Sequence, residues 1–302
     1  MTPAGAPSLA RRLEIQLGAA EMRTLERALC AAAGLRRRTI VVDDLALAAL
    51  ERPGVGAPVV MIHGFGGDKE TWLLMAPWLR RRPLLVIDLP GHGGSTIVAR
   101  GRATPAAMGR AIVGALDACG LDRVHLCGNS MGGGIALWIA RNHPARVASL
   151  TLVASVAPEL AESELTRALA RGENLLIPGA DDADRLMRLV VEKPPKVPRA
   201  VQRYVAARRA AARPVLEEMF RGWVEAAPEA ALPRDLEAIE QPTLIIHGRC
   251  DRIIAVDTAR KVASSVPNST LRVLDGIGHV PQLEAPRRVA ALVRAHLDAV
   301  AP

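Results

Sequence analysis

A glycine-flanked serine at a strand–helix junction sets the terms for this chain. Val124-His125-Leu126-Cys127 reads as a short apolar strand, and Ile135-Ala136-Leu137-Trp138 as part of an apolar helix. Between them stands Gly128-Asn129-Ser130-Met131-Gly132. A backbone that passes from strand to helix in so few residues must turn sharply, which pushes one side chain out at a strained position. The glycines suit that turn, because a Cβ at either place would strike the neighbouring strand or helix. The Ser130 hydroxyl then lies at a helix N-terminus, where unpaired N–H groups favour negative charge. A Gly-x-Ser-x-Gly arises by chance in roughly one chain in ten of this length. Partners elsewhere must therefore decide between a nucleophile elbow and an ordinary Gly-rich turn.

The surrounding pattern alternates strand and helix. Thr39–Val42 and Leu45–Leu50 read as a hairpin around Asp43-Asp44. Continuous apolar runs at Val59–Ile62 and Leu84–Ile87 read as strands buried on both faces. The spacing predicts helices over 70–81 and 104–119, and a further strand at Ser149–Ala154. From about Pro158 to Pro233 the strands stop and helical, charged segments take over. The rhythm resumes with strands at Thr243–His247 and Leu271–Leu274 and helices at Val256–Val266 and Pro286–Val300. This predicts an α/β fold: a mostly parallel, doubly wound sheet (residues 39–157 and 234–302) interrupted by a helical cap (158–233). Residues 1–38 form an extension. It is helical from about Leu9 to Leu35, with an apolar stripe of Leu9, Leu13, Leu17, Met22, Leu25 and Leu29 and a polar side that includes Arg36–Arg38. The stripe suits either an anionic membrane surface or the body of the domain. Glu14, Glu21 and Glu26 dilute the positive face and favour packing on the domain.

Ligand sites in doubly wound sheets gather at the carboxyl ends of the strands. A serine hydroxyl needs a base, and the base needs a group that holds it. Asp251 follows the strand ending at His247, and His279 follows the strand ending at Leu274. The order Ser130, Asp251, His279 is the one expected when a nucleophile elbow begins the set. Ser130 is then the nucleophile, His279 the base and Asp251 its orienting acid. Taken alone, Asp251 could be a turn or cap residue and His279 a turn histidine. An oxyanion requires two N–H donors: Met131, directly after the nucleophile, and one from His63-Gly64-Phe65-Gly66, with Phe65 the first choice and Gly66 the second. His63 reads as structural.

Composition narrows the partners. The net charge is +8, but the arginines are scattered among Ala and Pro and aromatics are only 2%, which argues against nucleic-acid binding. His92 and His247 lack metal-ligand spacing, and no Walker or G-x-G-x-x-G pattern occurs, so neither metal nor nucleotide cofactor is expected. The four cysteines form no C-x-x-C pair, which fits a reducing, cytoplasmic compartment. There is no run of eighteen apolar residues, and Met1–Ser8 does not read as a secretory signal.

Four segments resemble the α/β-hydrolase superfamily: His63-Gly64-Phe65-Gly66-Gly67-Asp68-Lys69, Gly128–Gly133, Glu192-Lys193-Pro194-Pro195-Lys196-Val197-Pro198, and Gly278-His279-Val280-Pro281-Gln282-Leu283-Glu284. Within it they are similar to bacterial lipases of the Moraxella and Psychrobacter type and to monoacylglycerol lipases. The Pro-Pro segment is the most telling, since the chemistry does not require it. The resemblance implies hydrolysis of a small-molecule acyl ester, with the acyl chain under the cap and apolar residues such as Leu176, Leu186, Val190 and Phe220 available to line its pocket. Relatives also tend to carry an N-terminal signal or membrane anchor, which this sequence does not clearly show, so peripheral membrane contact would fall to the first helix. A further departure lies in the acid loop: where relatives often carry Gly-Asp-x-Asp, this chain has Gly248-Arg249-Cys250-Asp251, leaving Asp251 the one acid of that loop. The same fold also serves thioesters, C–C bonds and acyl transfer, and receptors that have lost a triad member.

Overall fold

A computed structural model describes residues 9–79, 82–177, 183–194 and 196–300. Residues 1–8, on which the expectation about a secretory signal falls, and Pro195 of the Pro-Pro segment lie outside that set. Helix α1 spans Leu9–Ala33, followed by strands β1 (Arg36–Val42), β2 (Leu45–Arg52), β3 (Val59–Ile62) and β4 (Leu84–Ile87). Helix α2 (Pro105–Ala118), β5 (Val124–Asn129), α3 (Met131–Asn142) and β6 (Val147–Val153) form the centre. Next come α4 (Glu164–Ala170), α5 (Ala183–Val190) and α6 (Arg199–Val224), then β7 (Thr243–Gly248), α7 (Val256–Ser265), β8 (Ser269–Leu274), α8 (Pro281–Glu284) and α9 (Pro286–Val300).

The eight strands form one sheet in the order β1-β2-β4-β3-β5-β6-β7-β8. Strand β2 runs antiparallel to both its neighbours, β1 and β4, and the remaining pairs are parallel. The period-2 alternation of strand side chains explains the layering. Val60 and Ile62 join Leu126 and the apolar faces of α2 and α3 in one core. Val59 and Met61 join Cys127 and α9 in another on the opposite face. Both faces are covered, as the continuous apolar strands require. The hairpin turns at Asp43, whose φ of 52° is one that Asp tolerates.

The structure corrects three expectations. The predicted helix at 70–81 is two 3₁₀ turns, Lys69–Trp72 and Ala76–Trp78. Pro77 has no N–H to return to Leu73, so a continuous α-helix would lose a bond there. Arg36–Arg38 belong to β1, paired opposite Glu51, Leu50 and Ala49, and not to the helix. Gly34, at φ 65°, ends α1 before them. Finally, α1 does pack on the body, but of its leucine stripe only the last member, Leu29, meets the core. It lies against helix α6 at Gly18, where a Cβ would overlap the Ala200 carbonyl, and Glu14 pairs with Arg203 at 2.5 Å. Close backbone approach at the glycine sets the docking face, and Leu9, Leu13, Leu17 and Leu25 point outward, 50–74% exposed.

Candidate active site

Ser130 sits between β5 and α3 with φ 53° and ψ −118°, an unfavourable conformation for a residue with a side chain. The flanking glycines permit it. A Cβ on Gly128 would overlap the Gly132 carbonyl, and one on Gly132 would overlap the carbonyls of Ile62 and His63. The Ser130 N–H donates to Val153 O at 2.9 Å, and its carbonyl accepts from Gly133 and Val156. Backbone bonds to two neighbouring elements thus hold the strain in place. Met131 opens α3, so its N–H has no acceptor within the helix.

Asp251 and His279 arrive from the ends of β7 and β8. Gly248 lets their loops meet, because a Cβ there would overlap the Gly278 carbonyl. The His279 Nδ1–H donates to Asp251 Oδ2 at 2.8 Å. Asp251 Oδ1 accepts from the N–H groups of Ile253 and Ile254 at 2.8 and 2.9 Å. His247 Nε2 stands 3.3 Å from Asp251 Oδ2. His247 Nε2 also bonds the Ile254 carbonyl at 2.8 Å. Burial opposes charge on Asp251, but the neighbouring His279 and His247 outweigh it and hold the carboxyl well below its ordinary range. This contact of His247 is not among the expectations from the sequence. The available signal was its placement on the strand end, four residues before Asp251.

The structure brings Asp251 and His279 into direct contact, and Ser130 and His279 to the wall of one cavity of about 160 Å³. No hydrogen bond joins the Ser130 hydroxyl to the His279 ring in this state, a looseness common before substrate binds. Phe65 also lines the cavity, whereas Gly66 does not. The turn carrying Phe65 closes through Gly67 N–H to Gly64 O at 3.1 Å, with Gly66 at φ 65°. His63 braces it: Nδ1–H donates to Gly64 O at 2.8 Å, and Nε2 accepts from the Leu89 N–H at 3.0 Å. Below, Lys69 pairs with the fully buried Asp88 at 2.8 Å. Asp68 pairs with Arg208 of α6. Burial would raise the Asp68 carboxyl, but Glu70 and Arg208 bring it down to about 2, while burial and Asp68 push Glu70 up to about 8.

The segment around α5 is stitched to these loops. The His279 N–H donates to Val190 O at 2.9 Å, and Glu284 accepts from Gly278 and Glu192 at 3.0 and 2.9 Å. Arg252, next to Asp251, pairs with Glu192 at 2.5 Å. Two of the motifs quoted above, the one opening at Glu192 and the one holding His279, therefore touch. Leu176, Leu186, Met187, Val190 and Val191 give the cavity an apolar wall. Phe220 stays outside this lining and instead meets Phe65 edge-on at 5.8 Å. Among the described residues, no cluster of three His, Cys, Asp or Glu side chains could hold a metal ion.

A family model described as the alpha/beta hydrolase fold matches residues 57–286. The chain belongs to the α/β-hydrolase family. It is 30% identical to the monoacylglycerol lipase abhd6-A of Xenopus laevis over 82% of this chain and 77% of that one. It is 29% identical to Lipase 3 of Moraxella sp. (strain TA144) over 80% and 78% respectively. A solved structure of a membrane phospholipase A, described as a bacterial virulence factor, superposes with a TM-score of 0.87 at 33% identity, covering 95% of this chain and 92% of that one.

Proposed function

We propose that this protein is a serine carboxylic ester hydrolase acting on lipid esters through a covalent acyl-enzyme. The observation that carries the reading is the 2.8 Å Asp251–His279 hydrogen bond at the edge of the cavity that Ser130 also lines. Ser130 Oγ attacks the ester carbonyl carbon and its proton passes to His279 Nε2. The N–H groups of Met131 and Phe65 receive the oxyanion. Collapse of the tetrahedral intermediate breaks the bond to the alcohol, which leaves with the proton from His279. Water then attacks the acyl-enzyme with His279 again as base, releasing the acid and restoring Ser130. The lipase relatives and the apolar cavity wall support acyl chains as the substrate.

A series of p-nitrophenyl esters and monoacylglycerols of increasing chain length tests this. Turnover of at least one member is expected, falling on acidification because a protonated His279 cannot accept the serine proton. No turnover of any member would reject the reading, and a rate indifferent to acid would reject His279 as base.

We further propose a cytoplasmic location with peripheral membrane contact. The four cysteines are free, which fits a reducing compartment. Among the described residues no helix is long and apolar enough to cross a membrane. The outward leucines of α1 offer an apolar face for the interface. In liposome co-sedimentation, Leu13→Asp/Leu17→Asp is expected to reduce the bound fraction severalfold. Equal sedimentation of both forms would remove α1 from the interface.

A further inference from the structure

Among the described residues lining the Ser130 cavity, Arg209 is the one lysine or arginine. It comes from α6, next to Arg208, but the two differ in their partners. Arg208 is neutralised by Asp68. Arg209 has no ion pair or side-chain hydrogen bond among the described residues, and Asp68 acts on it only at a distance. A guanidinium carries five N–H donors in a planar fork that matches phosphate and carboxylate oxygens. Arg209 is half-buried, and drawing such a group part-way out of water without partners is costly unless a ligand supplies them. Burial lowers the proton affinity of Arg209, yet an arginine remains charged at any working pH.

We propose that Arg209 recognises an anionic group on the substrate, making the preferred substrate an acyl ester whose alcohol portion bears a phosphate or carboxylate. The inference rests on the ester-hydrolase reading above. The placement of the anion follows from the cavity itself. Its apolar wall of Leu176, Leu186, Met187, Val190 and Val191 suits the acyl chain. Arg209 lies within electrostatic reach of Asp68, whose loop follows the Phe65 turn. With the acyl chain on the apolar wall, the charged part of the substrate belongs to the leaving alcohol. One good charge-assisted contact of this kind is worth roughly 10- to 100-fold in affinity.

The test compares three esters of one acyl chain length: a neutral 1-acylglycerol, its 3-phosphate, and a 3-acyloxypropanoate. The full-length protein is assayed with Arg209→Gln and Arg209→Lys, whose folding is checked by thermal unfolding. The expected result is that the wild type favours an anionic ester over the neutral one by roughly tenfold or more in kcat/KM, chiefly through KM. Arg209→Gln brings that ratio close to one, and Arg209→Lys retains part of it. Preference for the phosphate alone assigns a phosphate headgroup, and preference for both anions assigns a general anion site. Either outcome supports the proposal. A wild-type ratio near one, or an unchanged ratio in Arg209→Gln, overturns it while leaving the hydrolase reading intact. Failure of all three esters would instead count against the hydrolase reading itself.

Discussion

Replacing Ser130 with alanine is expected to cut ester turnover by about 10⁵- to 10⁶-fold, the scale seen when a nucleophile that works with a base is removed. Asp251 and His279 would remain bonded to each other, and the Met131 and Phe65 amides would remain in place, but no acyl-enzyme could form. The fold should be nearly indifferent to the change. Alanine keeps the Cβ and therefore the same backbone strain at φ 53°. The bonds that hold this position run through the Ser130 main chain to Val153, Gly133 and Val156. The thermal midpoint of Ser130→Ala should therefore stay within a few degrees of the wild type. Turnover retained above the per cent level, in a folded variant, would mean that Ser130 is not the nucleophile.

Asp251→Asn should lower kcat by about 10⁴-fold, as expected when the base is left in the wrong tautomer. The amide oxygen of the substituted side chain can still accept from Ile253 and Ile254. Its NH₂ group then faces His279 Nδ1, which must become the acceptor. The ring proton moves to Nε2, the nitrogen that should take the serine proton. A stability change accompanies the loss. The Asp251 carboxyl is held below its ordinary value in the folded state. It therefore contributes stability above the unfolded carboxyl value of 3.8, and that contribution is lost as pH falls through the lower folded value. The Asn variant lacks this dependence. Its thermal midpoint should be lower than that of the wild type near neutrality, and the gap should narrow in acid. A variant within tenfold of wild-type kcat would assign Asp251 the merely structural role of a turn residue.

The three proposed catalytic residues could be singled out in the sequence because each carries a local signal. Ser130 has glycines that only a sharp turn explains, and Asp251 and His279 each follow a recognisable apolar strand. Likewise the central strands declared themselves by continuous apolar runs. What escaped was set by contacts between distant segments. The outward face of α1 could not be read from its leucine stripe, because the docking face was chosen by Gly18 meeting the Ala200 backbone. The 3₁₀ turns at Lys69–Trp72 and Ala76–Trp78 escaped because periodicity registers apolar spacing more strongly than one missing N–H at Pro77. The bracing of Asp251 by His247 and of the His279 loop by Glu284 emerges only once β7, β8 and the segment around α5 are assembled. Gly248 was a sequence clue to that assembly, since its missing Cβ is what allows the two loops to pass.

The central claim, an activated nucleophile at Ser130, is tested most directly by a fluorophosphonate probe followed by peptide mapping. Stoichiometric phosphonylation of Ser130, lost in Ser130→Ala and strongly slowed in Asp251→Asn, is the predicted result. A folded wild-type protein that takes up no probe, or takes it up at another residue, would contradict the account.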